Sequence, residues 1–551
     1  MMQQLLEGSK NTMQLRKIAA LIVACFILAG CNPDQMTPTE TEGGEQVVCP
    51  KDQLFPISEE ILRDADKVNV NLTFDIPDTL RENAQVFDLP LLVSDGMMLQ
   101  ALAVNRIWGS CTENGPIAVR LTDLQSGAVQ TYFGECKEGS FAVYVGSNPH
   151  GTRHRLEIIT PSGNKNTIND VVFGELFLAC GQSNMGWTVG QCYLETTLTL
   201  LYQEEINDSY NEQIRLFGVT PVQSQTKVSQ ISNSSTNGWQ IAQPSVVLNF
   251  SATAYFLARE LNRMYQIPVG VICSCMGGTD IYTWIPQKEA ADCQGTVVDA
   301  STHYNAMIHP LQNVNARAVL WYQGEGSEAQ HYPHNFRLLA EGWRRTFQRD
   351  DLFFAIVQLP RYAADDQGTF ERREAQKLAA TTVADCAYSV NIDLGLMEKD
   401  IAQGDELNPR GIHPYDKRPL ANRLAHMLAE ELYYAKGVWS GPVLEDIQVD
   451  GNRAILTYSN VGEGLILRGK AGFEIFAASG KTVACEPKLI SKTKVELTVD
   501  SGEDIKMIRY GYSSSSVLIE SYESYADCVC LYNTKNGGKA AYPAEQFLWM
   551  P

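Results

Sequence analysis

The chain has 551 residues, a formal net charge of −20, 44% hydrophobic residues and 20% charged residues. At roughly 100–200 residues per domain, that length holds about three domains. Its apolar content excludes a disordered chain, the lack of a Gly-X-Y or sustained heptad repeat excludes a rod, and its acidity excludes general nucleic-acid binding, which needs a dense Lys/Arg footprint. A small anionic ligand is not excluded, because one nearby Arg outweighs a screened distant field.

Arg16 and Lys17 precede an apolar run, IAALIVACFILAG, from Ile18 to Gly30. A transmembrane helix needs ~20 apolar residues, so the run has the length of a signal-peptide core instead. It ends Leu28-Ala29-Gly30-Cys31, which resembles a bacterial lipobox, where cleavage leaves the cysteine first and lipid on its thiol. An ordinary secretory signal that happens to end in Cys is the other reading. Residues 1–31 are therefore expected to be a lipoprotein signal and 32–85 a Thr-, Pro- and Gly-containing tether and lead-in. The expected location is the periplasm or an outer-membrane anchor through Cys31. Of the 14 cysteines, Cys273/Cys275 and Cys528/Cys530 form C-x-C pairs. No His or Cys lies nearby at zinc-ligand spacing, which favours buried strand cysteines over a metal site. Disulfide pairing does not follow from spacing.

From 86 to 172 the runs AVNRIWGSC, PIAVRLTDL, QTYFGEC, SFAVYVG and RHRLEIIT alternate between Gly-, Asn- and Ser-rich turns. Short strands at that spacing predict an N-terminal β-sandwich module. From 173 to 438 apolar strands (VFGELFLAC, IPVGVICSC, NARAVLWYQGE, DLFFAIVQLP, CAYSVNIDLG) alternate with helical stretches such as SATAYFLARELNRMY, ERREAQKLAATTV and KRPLANRLAHMLAEELYY. That alternation predicts an α/β fold with a mostly parallel sheet covered by helices. From 439 to 551 alternating runs return and predict a C-terminal β-sandwich domain.

Four polar motifs follow apolar strands in the α/β region. FLACGQSNM sets Ser183 just past a strand end, where ligands gather in open α/β sheets. There it is either an exposed nucleophile, with backbone N–H groups of Gln182 and Ser183 facing a developing oxyanion, or the N-cap of a helix. It is not the G-x-S-x-G elbow of α/β-hydrolases. In ICSCMGGTDIYTW, Gly277 and Gly278 allow close backbone approach to a ligand or form a plain turn. In VLWYQGEG, Gln323 offers an amide donor and Glu325 a carboxylate, and such polar groups after buried apolar residues need partners, in a structural network or in a site. In GIHPYDKRPLANRLA, His413 precedes a proline on extended backbone and has the chemistry of a general base. His303 and His309 are the alternatives among eight histidines.

Ser183, Gly277/Gly278, Gln323 and His413 occur in the order of an SGNH-type serine esterase. More closely, the chain resembles the sialate O-acetylesterase family, the SASA branch of the SGNH hydrolases. The matching segments are VVFGELFLACGQSNM (171–185), NFSATAYFLAREL (249–261), MGGTDIYTW (276–284), YNAMIHPL (304–311), WYQGEG (321–326), RREAQ (372–376) and IHPYDKRPLANRLA (412–425). The resemblance implies a Ser183 nucleophile, a His413 base, and an oxyanion hole from the N–H of Ser183, an N–H of Gly277 or Gly278 and the Gln323 amide. It implies no metal or other cofactor. The general D-x-x-H pattern puts an acid three residues before the histidine; here that residue is Arg410, which accepts no hydrogen bond. Asp405, Glu406, Asp416 and Glu325 are the candidate acids or supporting carboxylates, and a Ser–His dyad is the alternative. Arg410 is either a partner for a substrate carboxylate or a solvated loop residue. Trp284, Tyr304, His309 and Tyr322 either line a sugar site or fill the core. The implied function is release of acetyl groups from O-acetylated sialoglycans, with acetylxylan or another acetylated polysaccharide as the second substrate. A lipid-anchored glycan-binding protein with lost catalysis is the alternative class.

Overall fold

The computed structural model describes residues 73–194, 199–231, 238–362, 365–395, 412–468, 472–485, 487–512, 531–535 and 539–551. The N-terminal strands are β1 (Asn105–Cys111), β2 (Gly115–Asp123), β3 (Val129–Lys137), β4 (Ser140–Val145) and β5 (Arg153–Ile159). They pair antiparallel in the order β5-β2-β3-β4-β1. The 18-residue strand β6 (Asn164–Gly181) then does two jobs. Its first half pairs antiparallel with β5. Its second half pairs parallel with β9 (Val269–Cys275) and β10 (Ala318–Tyr322). The module boundary expected between residues 172 and 173 thus falls inside one strand, and the N-terminal strands and the α/β region share a single sheet. The lead-in expected to reach residue 85 already contains a strand, Arg81–Glu82, paired with the start of β6.

The α/β part of that sheet runs β8-β7-β9-β6-β10-β11-β12, where β7 is Asn211–Gly218, β8 Gln240–Ala242, β11 Phe353–Val357 and β12 Cys386–Ser389. Every pairing is parallel except β7 with β8. Both faces are covered, so the strands read as continuous apolar runs. The period of two still sorts side chains: Leu176, Leu178 and Cys180 of β6 enter one core and Phe177 and Ala179 the other. Helices α3 (Tyr332–Phe347) and α4 (Asp366–Thr382) cover the first face. Helices α2 (Ala252–Tyr265) and α5 (Arg418–Tyr433) cover the second. The α2 N-cap, Ser251, accepts from the N–H of Ala254 and donates at 2.6 Å to the carbonyl of Met185, so one hydroxyl starts the helix and anchors the turn after β6. No helix among the described residues is long and apolar enough to cross a membrane.

Beyond Val443 the described residues form three small antiparallel sheets around a core that includes Leu456, Phe473, Ile475, Val495, Ile508 and Tyr510. Buried polar contacts bind this part to the α/β region. Arg373 on α4, 1% exposed, donates from Nε to Gln546 Oε1 at 2.5 Å and from Nη2 to the carbonyl of Gly511 at 3.2 Å. Arg423 on α5 holds Asp393 through two nitrogens, and Tyr532 donates to the same carboxylate. Among the described residues no two cysteines are bridged; the Sγ atoms of Cys273 and Cys275 lie 3.7 Å apart on β9. Cys528 and Cys530 lie outside the described residues.

The substitution Arg373→Ala leaves two buried acceptors without a donor, each worth about 1–3 kcal/mol. We expect a lower urea midpoint and exposure of the C-terminal sheets to protease before the α/β region is cut.

Candidate active site

Strands β9, β6 and β10 are spatial neighbours, and the chain leaves β6 to opposite sides to form the other two. That is a topological switch point, where open α/β sheets bind ligands beyond the strand carboxyl ends. Register fixes which residues meet: Gly181 pairs with Cys275 on one side and Tyr322 on the other. The loops starting at Gln182, Met276 and Gln323 therefore leave the sheet side by side.

Ser183 opens a single helical turn, Ser183–Gly186. Gln182 is the cap residue and its side chain makes no cap bond, so Ser183 is not an N-cap. Its hydroxyl is half-buried and lies 2.8 Å from His413 Nε2. For that hydroxyl to donate, Nε2 must be the unprotonated ring nitrogen. The His413 ring stacks on Trp187 at 4.3 Å between centroids and 21° between planes, which fixes the direction of Nε2. The Gln182 N–H, expected as an oxyanion donor, is spent on the Tyr322 carbonyl at 3.0 Å. The Ser183 N–H, at the first position of the turn, is one of the donors a helix leaves unpaired.

Gly277 and Gly278 are exposed and face this turn. A Cβ on Gly277 would lie 3.4 Å from Ser183 Cβ, so the loop passes against the serine. Gly278 has φ +71, a conformation that favours glycine.

Gln323 does not present its amide to Ser183. Its Nε2 donates to the Thr279 carbonyl at 3.1 Å and to Ser327 Oγ at 2.9 Å, which uses both hydrogens. It is fully buried and ties the glycine loop to the loop after β10. Gln182, the residue before the serine, carries the other side-chain amide at these strand ends. Its Oε1 accepts long bonds from the N–H groups of Gly324 (3.5 Å) and Gly326 (3.4 Å), and its Nε2 has no hydrogen-bond partner among the described residues. An amide pinned by its oxygen, directly before the serine, is an oriented donor with capacity to spare. The sequence signal was the glutamine in GQSN, considered above only for its backbone.

Behind Ser183 lies a buried polar cluster. Asn184 donates from Nδ2 to Glu325 Oε1 at 2.5 Å and to the Ile412 carbonyl at 3.0 Å, and its Oδ1 accepts from Lys417 Nζ. Glu325 is thus a supporting carboxylate, one residue removed from the serine. Burial raises its pKa, opposed by the Asn184 bond and the charges of Lys417 and Arg372. Lys417 is 0% exposed, with Nζ 5.5 Å from the Tyr322 ring centroid, and burial pushes its pKa down to about 8.

The other expected site residues lie elsewhere. Asp416 accepts through Oδ1 from the Tyr202 hydroxyl and from the Arg418 N–H at 3.1 Å, so it holds the start of α5 rather than the His413 ring. Trp284, Tyr304 and Tyr322 are at most 2% exposed and cannot stack on a sugar. Trp284 donates to Thr279 Oγ1 beneath the glycine loop, and Tyr304 bonds Thr346. His309 Nδ1 meets the Val228 carbonyl at 2.9 Å, and His303 stacks on Trp284, so neither competes with His413. Asp405, Glu406, Arg410 and Cys31 lie outside the described residues.

A half-open serine paired with an imidazole at the carboxyl edge of a parallel sheet, beside exposed glycine amides, defines the class: a serine hydrolase. Residues 174–402 match the family described as carbohydrate esterase, sialic acid-specific acetylesterase. That region carries the family likeness, and the protein is a carbohydrate esterase. It is 28% identical over 386 residues to sialate O-acetylesterase of Homo sapiens, covering 63% of this chain and 71% of that one. The Mus musculus sialate O-acetylesterase is 27% identical over 417 residues, with 64% and 74% covered. Among solved structures, a carbohydrate acetylesterase from Xanthomonas citri superposes with a TM-score of 0.69 at 26% identity, over 84% of this chain and 99% of that one.

Lys417 makes stability depend on pH. A lysine lowered from 10.5 to about 8 in the fold binds its proton less tightly there than in the unfolded chain. Stability therefore rises with pH between about 8 and 10.5, by up to about 3 kcal/mol. Denaturant midpoints across that window are expected to rise more in the wild type than in Lys417→Met.

Proposed function

We propose that the protein hydrolyses O-acetyl esters of sialic acids through an acetyl-enzyme on Ser183. The 2.8 Å contact between Ser183 Oγ and His413 Nε2 at the switch point carries the mechanism. The family description and the names of the curated relatives support the sialic acid substrate.

Ser183 Oγ attacks the acetyl carbonyl carbon while His413 Nε2 takes the hydroxyl proton. The carbonyl oxygen becomes an oxyanion, held by the N–H of Ser183, an N–H of Gly277 or Gly278, and the Nε2 of Gln182. The ester C–O bond then breaks, and the departing sugar oxygen takes the proton from His413. Water, deprotonated by the same imidazole, attacks the acetyl-serine, and acetate leaves as Ser183 is restored. Gln323 and Glu325 contribute from behind: one fixes the glycine loop, and the other bonds the Asn184 that follows the serine.

The same reading places the enzyme in the cell envelope of a bacterium, exported by the segment before Cys31 and held to a membrane by lipid on that thiol. The support is the order of basic residues, apolar run and Leu-Ala-Gly-Cys.

Acetate release from O-acetylated sialic acid and from acetylated xylo-oligosaccharide, measured in parallel, tests the reaction. Release from the sialic acid, lost in Ser183→Ala, is expected. Release from the xylo-oligosaccharide alone would keep the chemistry and overturn the substrate. Gln182→Ala is expected to lower kcat by about 10²–10³, the usual effect of removing an oxyanion donor. In cells fed a radiolabelled fatty acid, label on the protein that disappears in Cys31→Ser is the outcome expected of the anchor; a labelled Cys31→Ser variant would refute it.

A further inference from the structure

Lys417 is a buried cation with no part in the acyl-transfer steps above. An ammonium is retained in an apolar interior only where it is paired and hydrogen-bonded. Four titratable groups surround it, and a fifth stands behind one of them. Glu325 comes from the loop after β10 and Asp416 from the preceding residue, and both are carboxylates. Cys192, whose thiol burial pushes up to about 12, comes from the segment after the serine turn. Tyr322 lies under the ammonium, and Tyr202 bonds Asp416. The hydrogen bond from Nζ, however, goes to none of these; it goes to the amide oxygen of Asn184.

That choice has a consequence for the Ser183–His413 pair. An asparagine amide has a donor end and an acceptor end, and its neighbours decide which way it faces. At Asn184 the Nδ2 end meets two acceptors, Glu325 Oε1 and the Ile412 carbonyl. An ammonium has three donors and no acceptor, so Lys417 admits only the oxygen end. Asn184 follows Ser183 in the chain, and Ile412 precedes His413. One side-chain amide therefore ties together the residues next to the two reacting groups.

We infer that Lys417 is a positioning residue of the esterase: by fixing the orientation of the Asn184 amide it sets the separation of Ser183 and His413. This rests on the acyl-transfer reading proposed above. Once neutral, the amine donates more weakly to the Asn184 oxygen and the charge-assisted bond is lost, so the tether loosens at alkaline pH.

The test uses the full chain and 4-nitrophenyl acetate, whose acetyl group is independent of the sugar. A Ser183→Ala control that retained turnover would overturn the acyl-enzyme reading itself. With that control inactive, Lys417→Met is expected to lower kcat by about 10- to 100-fold, as misplaced reacting groups do, with KM changed less than about twofold. Asn184→Ala is expected to behave alike, and the double variant to be no slower than the slower single. The wild type is expected to lose kcat at alkaline pH, and that loss is expected to be absent in both singles. Multiplying effects in the double variant, a rise in KM in place of a fall in kcat, or an alkaline limb that survives in Lys417→Met would overturn the inference. Should Lys417→Met not fold, the limb is read in Asn184→Ala, and its persistence there would overturn it equally.

Discussion

A Cβ on Gly181 would lie 2.1 Å from the carbonyl oxygen of Tyr322, and the residue adopts φ +133. Any side chain there would force β6 and β10 apart at the edge where their loops begin. Because it is glycine, the two strands stay in register to their last residues, and Gln182 donates to that same carbonyl at 3.0 Å. The serine turn, the glycine loop and the Gln323–Glu325 loop then share a space a few ångströms wide. The strand that ends there is also the one that carries the N-terminal strands, so the position of the nucleophile is set by a rod anchored at both ends.

Much of this was legible in the sequence. Continuous apolar runs followed by Gly-containing polar motifs named the strand ends, and three such motifs plus a histidine before a long helix named the site. Less legible was which of two glutamines offers its amide. Gln182 and Gln323 both follow strands, and only tertiary partners decide: Thr279 and Ser327 consume the hydrogens of one, while Gly324 and Gly326 hold the oxygen of the other. The aromatic residues mislead for a related reason. Tyr322 directly precedes Gln323 and Trp284 follows Gly278 by six residues, but period-two alternation and a short 3₁₀ turn, Ile281–Trp284, send their rings inward. The boundary at 172/173 was invisible because a strand that serves both an antiparallel and a parallel sheet shows only a change of pattern, from alternating to continuously apolar.

Charge shows the same separation of scales. The chain carries a net −20, but screening confines surface charge to about 8 Å at physiological salt. The site's electrostatics are those of its own cluster: one ammonium and one carboxylate on opposite ends of a neutral amide. Breaking such a buried pair by removing one partner costs far more than an exposed pair is worth. The cluster is thus a structural commitment made for the sake of the residues beside it.

The imidazolium formed in the proposed first step also needs support, and Asp416 does not face it. Trp187 does, with its ring stacked at 4.3 Å. A cation over an indole face gains about 0.5–2 kcal/mol. Each oxyanion donor typically contributes about 2.7–4 kcal/mol, so in the proposed mechanism the donors to the oxyanion weigh more on the barrier than the stack does. The stack on Trp187 matters more for direction than for energy. It holds Nε2 on the Ser183 hydroxyl while the ring is neutral and keeps it there when the ring is charged, so the same nitrogen can return its proton to the departing sugar oxygen.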